Sequence, residues 1–156
     1  MNFKKDQNIC LFSSKKERYE KNYSLAKKAV KIYGNFKIME LTGRHTKEEV
    51  NIIINASDCV LLTSFREGSP QIIKEAMACG CPIVSTDVGD AKKIIGDTKG
   101  CFIVSYDPSD IADKLTKVLE FSSKTCGRQR IKKLELDSHT ISKKVKHVYK
   151  KVINIQ

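Results

Sequence analysis

A doubly wound, Rossmann-like α/β sheet of about five parallel strands is the fold the sequence predicts. Three observations carry it. Short, nearly all-apolar runs alternate with stretches of helical periodicity, as when parallel strands are joined by crossover helices. Cap and stop residues fall at the joints, among them Thr46 with Glu49, Asp107 with Pro108, and Gly34. At 156 residues the chain can build one domain with a real core and is too short for two ordinary ones.

Residues 9–12 read as the first strand. Tyr23–Tyr33 follows as a helix with Leu25, Ala26, Ala29, Val30 and Tyr33 inward, ending at Gly34. Residues 37–41 form a second strand. Thr46 and Glu49 then make a capping box ahead of Val50, Ile53 and Ile54. Cys59–Leu62 is a short apolar strand that feeds directly into a glycine loop. Ser69 suits the N-cap of the next helix and Pro70 its first position. That helix turns Ile72, Ile73, Ala76 and Met77 inward and stops near Gly80. Residues 82–85 give a fourth strand, followed by a Gly89-Asp90 turn and a short helix through Ile95. Cys101–Val104 is the fifth. Asp107-Pro108 caps a helix with Ile111, Ala112, Leu115, Val118 and Leu119 on one face. Residues 122–127 read as a hinge or turn. The last helix, at about 140–152, repeats Ile141, Val145, Val148, Tyr149 and Val152 along one stripe, a face expected to dock on the domain.

A 40% hydrophobic and 30% charged composition is globular rather than disordered. No apolar run approaches a membrane span, and the Met-Asn-Phe-Lys-Lys start has no signal-peptide core. The expected compartment is the cytoplasm, with the inner face of an anionic membrane as a further surface. A net charge of +11 favours anionic partners: nucleic acid, acidic lipid or phosphorylated small molecules. Lysine outnumbers arginine, so biased genomic composition explains the charge equally well. Nucleic acid is the weakest of these partners, because the chain has no zinc spacing and no aromatic-rich RNA motif. Among the six cysteines only Cys79 and Cys81 are close, without the second pair a metal site needs. Most of the others sit in apolar runs and read as reduced core residues.

Function concentrates in one stretch, 65–82. Glu75 follows Glu67 by eight positions, with Gly68, Ser69 and Pro70 between them at a helix start. In a parallel α/β sheet ligands bind at the carboxyl ends of strands, near helix N-termini. Gly68 would let the backbone turn and approach a ligand. Free N–H groups and the dipole of the following helix favour an anion such as a diphosphate. Glu75 lies about 9 Å along the helix axis from Ser69, at about 1.5 Å per residue, too far to form a tight carboxylate pair with Glu67 on spacing alone. The two fit better as separate acceptors for vicinal hydroxyls. By spacing alone the ordinary reading is favoured, with Glu67 a solvated loop residue and Glu75 a surface helix residue paired with a neighbouring lysine, because two glutamates at this spacing occur often by chance.

The segment from Asp58 to Thr86 resembles the signature region of retaining GT-B glycosyltransferases, the family that includes sucrose synthases and many bacterial cell-surface sugar transferases. The matching residues are Glu67, Gly68, Pro70, Glu75, Ala76, Met77, Ala78, Gly80 and Pro82. The likeness runs from Ile9 to about Val152, the nucleotide-sugar-binding C-terminal half of such enzymes.

That resemblance implies a role for each matched position. Glu67 would bind hydroxyls of the transferred sugar, and Glu75 the ribose. Gly68, Ser69 and Pro70 would frame sugar and diphosphate with their backbone. Arg18 and Lys21 would be the basic pair that grips the diphosphate, with Lys16 a substitute for Arg18. The nucleobase would lie near Leu41, Thr42 and Gly43. No metal and no cofactor is implied beyond the nucleotide-sugar substrate. Preplaced cations can stabilise the departing diphosphate by themselves.

The chain also departs from the family pattern. Gly89-Asp90 and Lys92-Lys93 stand where members commonly have Gly-Gly and then an acidic residue. A complete enzyme of this kind also has an N-terminal acceptor domain. The expectation is therefore a single donor-binding domain over residues 1–156: a fragment, one subunit of a split enzyme or a truncated product, inactive alone. A non-catalytic nucleotide-sugar-binding partner and, less favoured, a basic nucleic-acid binder are the alternatives.

Overall fold

A computed structural model describes residues 8–153. The start, residues 1–5, read above for a signal peptide, lies outside the described residues. Five parallel strands form one sheet in the order β2-β1-β3-β4-β5. They are β1 (Asn8–Phe12), β2 (Phe36–Glu40), β3 (Cys59–Leu62), β4 (Ile83–Thr86) and β5 (Cys101–Val104). The register runs Cys10 to Cys59 and Leu11 to Val60 between β1 and β3, then Leu61 to Val84 into β4. The predicted strands are all present, each within a residue of its expected bounds.

Alternation across the strands builds two cores. Cys10, Phe12, Cys59, Leu61 and Val84 face α1 (Tyr23–Tyr33), and that side extends to α5 (Pro108–Phe121). Leu11, Val60, Leu62 and Ile83 face the opposite layer. That layer holds α2 (Lys47–Asn55), α3 (Gln71–Cys79), α4 (Ala91–Ile95) and α6 (Gly127–Lys133). Successive strand side chains point to opposite faces, so a strand such as β3 must be apolar at every position. All four of its residues are buried.

Several local expectations hold and several do not. Thr46 and Glu49 form the full capping box, with Thr46 accepting from Glu49 N at 3.2 Å and Glu49 from Thr46 N at 2.7 Å. Ser69, expected to cap α3, does not. Pro70 takes that position with extended backbone and no side-chain cap, and the helix begins at Gln71. Ser69 is drawn away because its hydroxyl bonds to Asp90 instead.

The segment expected to be only a hinge leads directly into α6. Gly127, its first residue, abuts α3: a Cβ there would come within 2.6 Å of Met77 O. The last helix, α7 (Ser138–Ile153), does not dock its apolar stripe, since residues 141–153 are all exposed. Four cysteines, Cys10, Cys59, Cys81 and Cys101, are buried as expected. Cys79 is half-buried and Cys126 exposed.

Candidate functional site

In a parallel sheet every strand ends at the same edge, so the loops after β1, β2, β3 and β4 share one rim. A short 3-10 turn, Tyr19–Lys21, interrupts the loop after β1 and closes on Asn22 in left-handed conformation at φ 51°. Thr63, buried at the end of β3, fixes that turn: its Oγ1 lies 3.0 Å from the carbonyl oxygens of both Lys21 and Asn22. Phe65 N donates to Glu20 O at 2.9 Å. The two loops therefore meet as one surface.

At the join, Lys21 Nζ donates to Glu67 Oε1 at 2.5 Å, and Ser64 Oγ donates to the same oxygen at 2.7 Å. The Lys21 and Glu67 side chains are 14% and 16% exposed, so the pair is largely screened from water yet still reachable. Arg18, Glu20, Lys21, Arg66, Glu67 and Gly68 line a depression of about 400 Å³ around it. Arg18 pairs with Glu20 at 3.5 Å. A backbone hydrogen bond, followed by the Arg18 and Arg66 charges, holds the Glu20 carboxyl below the usual glutamate range. Three cations and two carboxylates thus border one opening.

Nothing crowds Gly68: a Cβ there would meet no atom within 4 Å. The glycine that packing demands is Gly89. Its φ is +56°, and a Cβ would collide with the Gly68 carbonyl. The Gly89-Asp90 turn is therefore pressed against the Glu67-Gly68 loop. Asp90 Oδ2 accepts from Ser69 Oγ at 2.6 Å, and Lys74 Nζ donates to Ser69 Oγ at 2.7 Å, locking the two loops together.

Glu75 stands elsewhere. With Gln71, Lys74, Arg128, Lys132 and Asp137 it borders a second cavity of about 530 Å³ between α3 and the α6–α7 segment. Desolvation raises its pKa from the ordinary value, partly countered by a hydrogen bond with Gln71 and the Lys47 charge. Arg18, Lys21, Glu67 and Gly68 are brought together, then, and Glu75 lies at a separate cavity. The N-terminus of α3, behind Ser69 and the buried Pro70, lies between them in sequence. Lys16 is exposed and makes a backbone contact, its N–H donating to Glu40 Oε2 at 2.9 Å. Thr42 and Gly43 lie in the loop leaving β2 and line neither cavity.

Sequence reading missed the supporting shell. Thr63 and Ser64 are polar residues placed directly after an all-apolar strand, the one signal that marked them. Three aromatic rings also gather beside the depression: Tyr19 to Phe65 at 5.4 Å and Phe65 to Tyr106 at 5.8 Å between centroids. Tyr106 Oη donates to Ser64 O at 3.1 Å, which ties the loop after β5 to the same rim.

The profile of the family described as glycosyl transferases group 1 matches residues 20–133, a stretch that includes Lys21, Glu67 and Glu75. The chain belongs to that family. Among curated relatives, a D-inositol 3-phosphate glycosyltransferase of Paenarthrobacter aurescens (strain TC1) is 39% identical over 61 residues, 38% of this chain and 15% of the relative. A trehalose synthase of Thermococcus litoralis is 40% identical over 83 residues, 53% of this chain and 20% of the relative. Each match therefore spans a fifth or less of the relative's length. A sucrose-phosphate synthase from Thermosynechococcus elongatus has the same fold at a TM-score of 0.70 and 17% identity, covering 96% of this chain and 39% of that one. The C-terminal domain of a glycosyl transferase group 1 family protein (LpcC) from Francisella tularensis superposes at 0.62 with 19% identity, over 81% of this chain and 85% of that domain.

Proposed function

We propose that this chain is the donor-binding part of a retaining, metal-independent glycosyltransferase, taking a sugar from a nucleotide diphosphate sugar to an acceptor held by another domain or chain. The observation that carries this is the Lys21–Glu67 pair, set at the carboxyl edge of the sheet beside the first turn of α3. The diphosphate lies against Arg18 and Lys21, and the free N–H groups of that turn add a fixed positive end. Glu67 Oε1 is held by Lys21 and Ser64, so Oε2 accepts from a hydroxyl of the transferred sugar. The ribose reaches over α3 to Glu75, and the base lies toward Thr42 and Gly43.

In the reaction the bond between the anomeric carbon and the diphosphate oxygen breaks, and its electron pair leaves with the diphosphate. Arg18 and Lys21 are in place to stabilise that added charge, which substitutes for a divalent ion. The acceptor hydroxyl forms the new bond on the same face and passes its proton to the departing diphosphate oxygen. Glu67 holds the sugar while positive character grows on its ring.

Isothermal titration with UDP, GDP and ADP tests the binding half of this reading. At least one should give a saturable heat that is lost in Lys21→Met. Flat traces for all three in the parent chain would refute it.

A further inference from the structure

The strand order β2-β1-β3-β4-β5 gives the rim a direction. The loop after β2, where the base is set, lies at one edge; Lys21 and Glu67, on the loops after β1 and β3, lie further in. Tyr106 belongs to the loop after β5, the opposite edge strand, and reaches back to stack on Phe65, which in turn meets Tyr19. Tyr19, Phe65 and Tyr106 are 83%, 45% and 48% exposed, so a row of stacked rings from three loops keeps its faces in water, where apolar surface is costly. Tyr19, Glu20, Phe65 and Arg66 line a hollow of about 380 Å³ against that row. Glu20 and Arg66 also line the depression around the Lys21–Glu67 pair. The two openings thus share a wall.

We propose that this aromatic hollow receives the terminal sugar ring of the acceptor, which makes the acceptor a saccharide. The assignment rests on the donor reading above, since it needs a donor sugar held at Glu67. A pyranose has the matching chemistry: its C–H bonds form an apolar face that covers an aromatic ring, and hydroxyls surround its edge. Glu20 and Arg66 meet those hydroxyls from the shared wall, the carboxylate accepting and the guanidinium donating. Held below the usual glutamate range, the Glu20 carboxyl remains an acceptor at neutral pH. Because the hollow adjoins the Glu67 depression, a hydroxyl on the near edge of the ring is brought toward the donor sugar. A nucleobase stacks on such rings too, yet a base placed here would take the ribose away from Glu75 and its cavity. A protein surface closed over the row would desolvate the Glu20 and Arg66 charges along with it.

Saturation-transfer NMR on the full chain tests this, with the methyl glycosides of glucose, galactose and mannose as probes and glycerol as control. Saturating the aromatic protons of the protein should pass magnetisation to the ring C–H protons of at least one glycoside, and not to glycerol. Tyr19→Ala and Phe65→Ala should each raise the half-saturating concentration of that probe at least about threefold. Tyr19→Ala, at a solvent-exposed ring, should keep the thermal unfolding and the nucleotide heat of the parent. No magnetisation on any glycoside, or unchanged saturation in both ring variants, would overturn the proposal. So would displacement of the bound glycoside by uridine, guanosine or adenosine, which would make the row a base platform. UDP, GDP and ADP are titrated on the same samples. Nucleotide heat without glycoside contact sinks the acceptor subsite alone; glycoside contact without nucleotide heat sinks the donor reading, and the acceptor role with it.

Discussion

Lys21 Nζ lies 2.5 Å from Glu67 Oε1, across two loops whose residues are 46 positions apart in sequence. With the Thr63 hydroxyl on the Lys21 and Asn22 carbonyls and Phe65 N on Glu20 O, this contact closes the loop after β1 onto the loop after β3. Because both side chains are mostly screened from water, removing one charge strands the other. Lys21→Met should therefore destabilise the fold by about 1–3 kcal/mol, less than a fully buried pair would cost. The double variant Lys21→Met/Glu67→Gln should recover part of that loss. Urea unfolding measures both, and equal stability of parent and Lys21→Met would show that the pair is a solvated surface contact.

The two loop glycines should behave oppositely. Gly89→Ala introduces a Cβ into the Gly68 carbonyl at a positive φ, so it should cost more than about 2 kcal/mol and shift the Glu67 loop. Gly68→Ala meets open space and should stay within about 0.5 kcal/mol of the parent. If that space belongs to the donor, Gly68→Ala should still weaken nucleotide-sugar affinity. Denaturation and titration of the two variants separate packing from ligand contact.

Glu75 carries a pH signature. Desolvation raises its folded-state pKa, so the folded state holds its proton to higher pH than the unfolded chain does. Stability from this group is complete below the unfolded glutamate value of about 4.3 and is lost as pH rises through the raised folded value. Glu75→Gln removes that loss, and its stability relative to the parent should improve between pH 4 and pH 7. The same change should weaken nucleotide binding if the carboxylate meets ribose. A stability difference that is flat with pH would mean that Glu75 is not desolvated.

Thiol reactivity should follow burial. Cys126 is exposed and should react with a thiol reagent in the native state. Burial pushes the Cys101 thiol up to about 12 and Cys81 higher still, so neither should react until the chain unfolds. Cys79, half-buried and also shifted up by desolvation, should react slowly. Mass mapping of modified cysteines over time gives the order.

How much of this was legible in the sequence depended on whether the signal was local. The strands, the capping box on α2 and the inward faces of α1, α3 and α5 were readable because period and cap lie within one short window. The helix α6 was not. Its Gly-Arg-Gln-Arg-Ile-Lys-Lys sequence buries only Gly127 and Ile131, and its start has no side-chain cap. What holds it is the close approach of Gly127 to Met77 together with Arg130, whose guanidinium donates to the Ile94 and Lys93 carbonyls at 2.6 and 2.8 Å, contacts no periodicity encodes. Ser69 looked like a cap because its type suits one; the competing acceptor, Asp90, lies 21 positions away. On α7 the stripe was legible, but the pattern does not say what covers it. In the site, Glu67, Arg18 and Lys21 were found through a motif, and their convergence is visible in the structure. The spread between Glu67 and Glu75 followed from helix geometry, whereas Ser64, and the packing of the Gly89 turn against Gly68, emerged only once the loops were seen together.

A crystal structure of the chain with whichever nucleoside diphosphate binds is the most direct measurement. The expected result places the diphosphate within hydrogen-bond reach of Lys21 Nζ and the first turn of α3, with the ribose hydroxyls on the Glu75 carboxylate. Phosphates bound away from Lys21, or a ribose that leaves Glu75 untouched, would contradict a single donor spanning the two cavities.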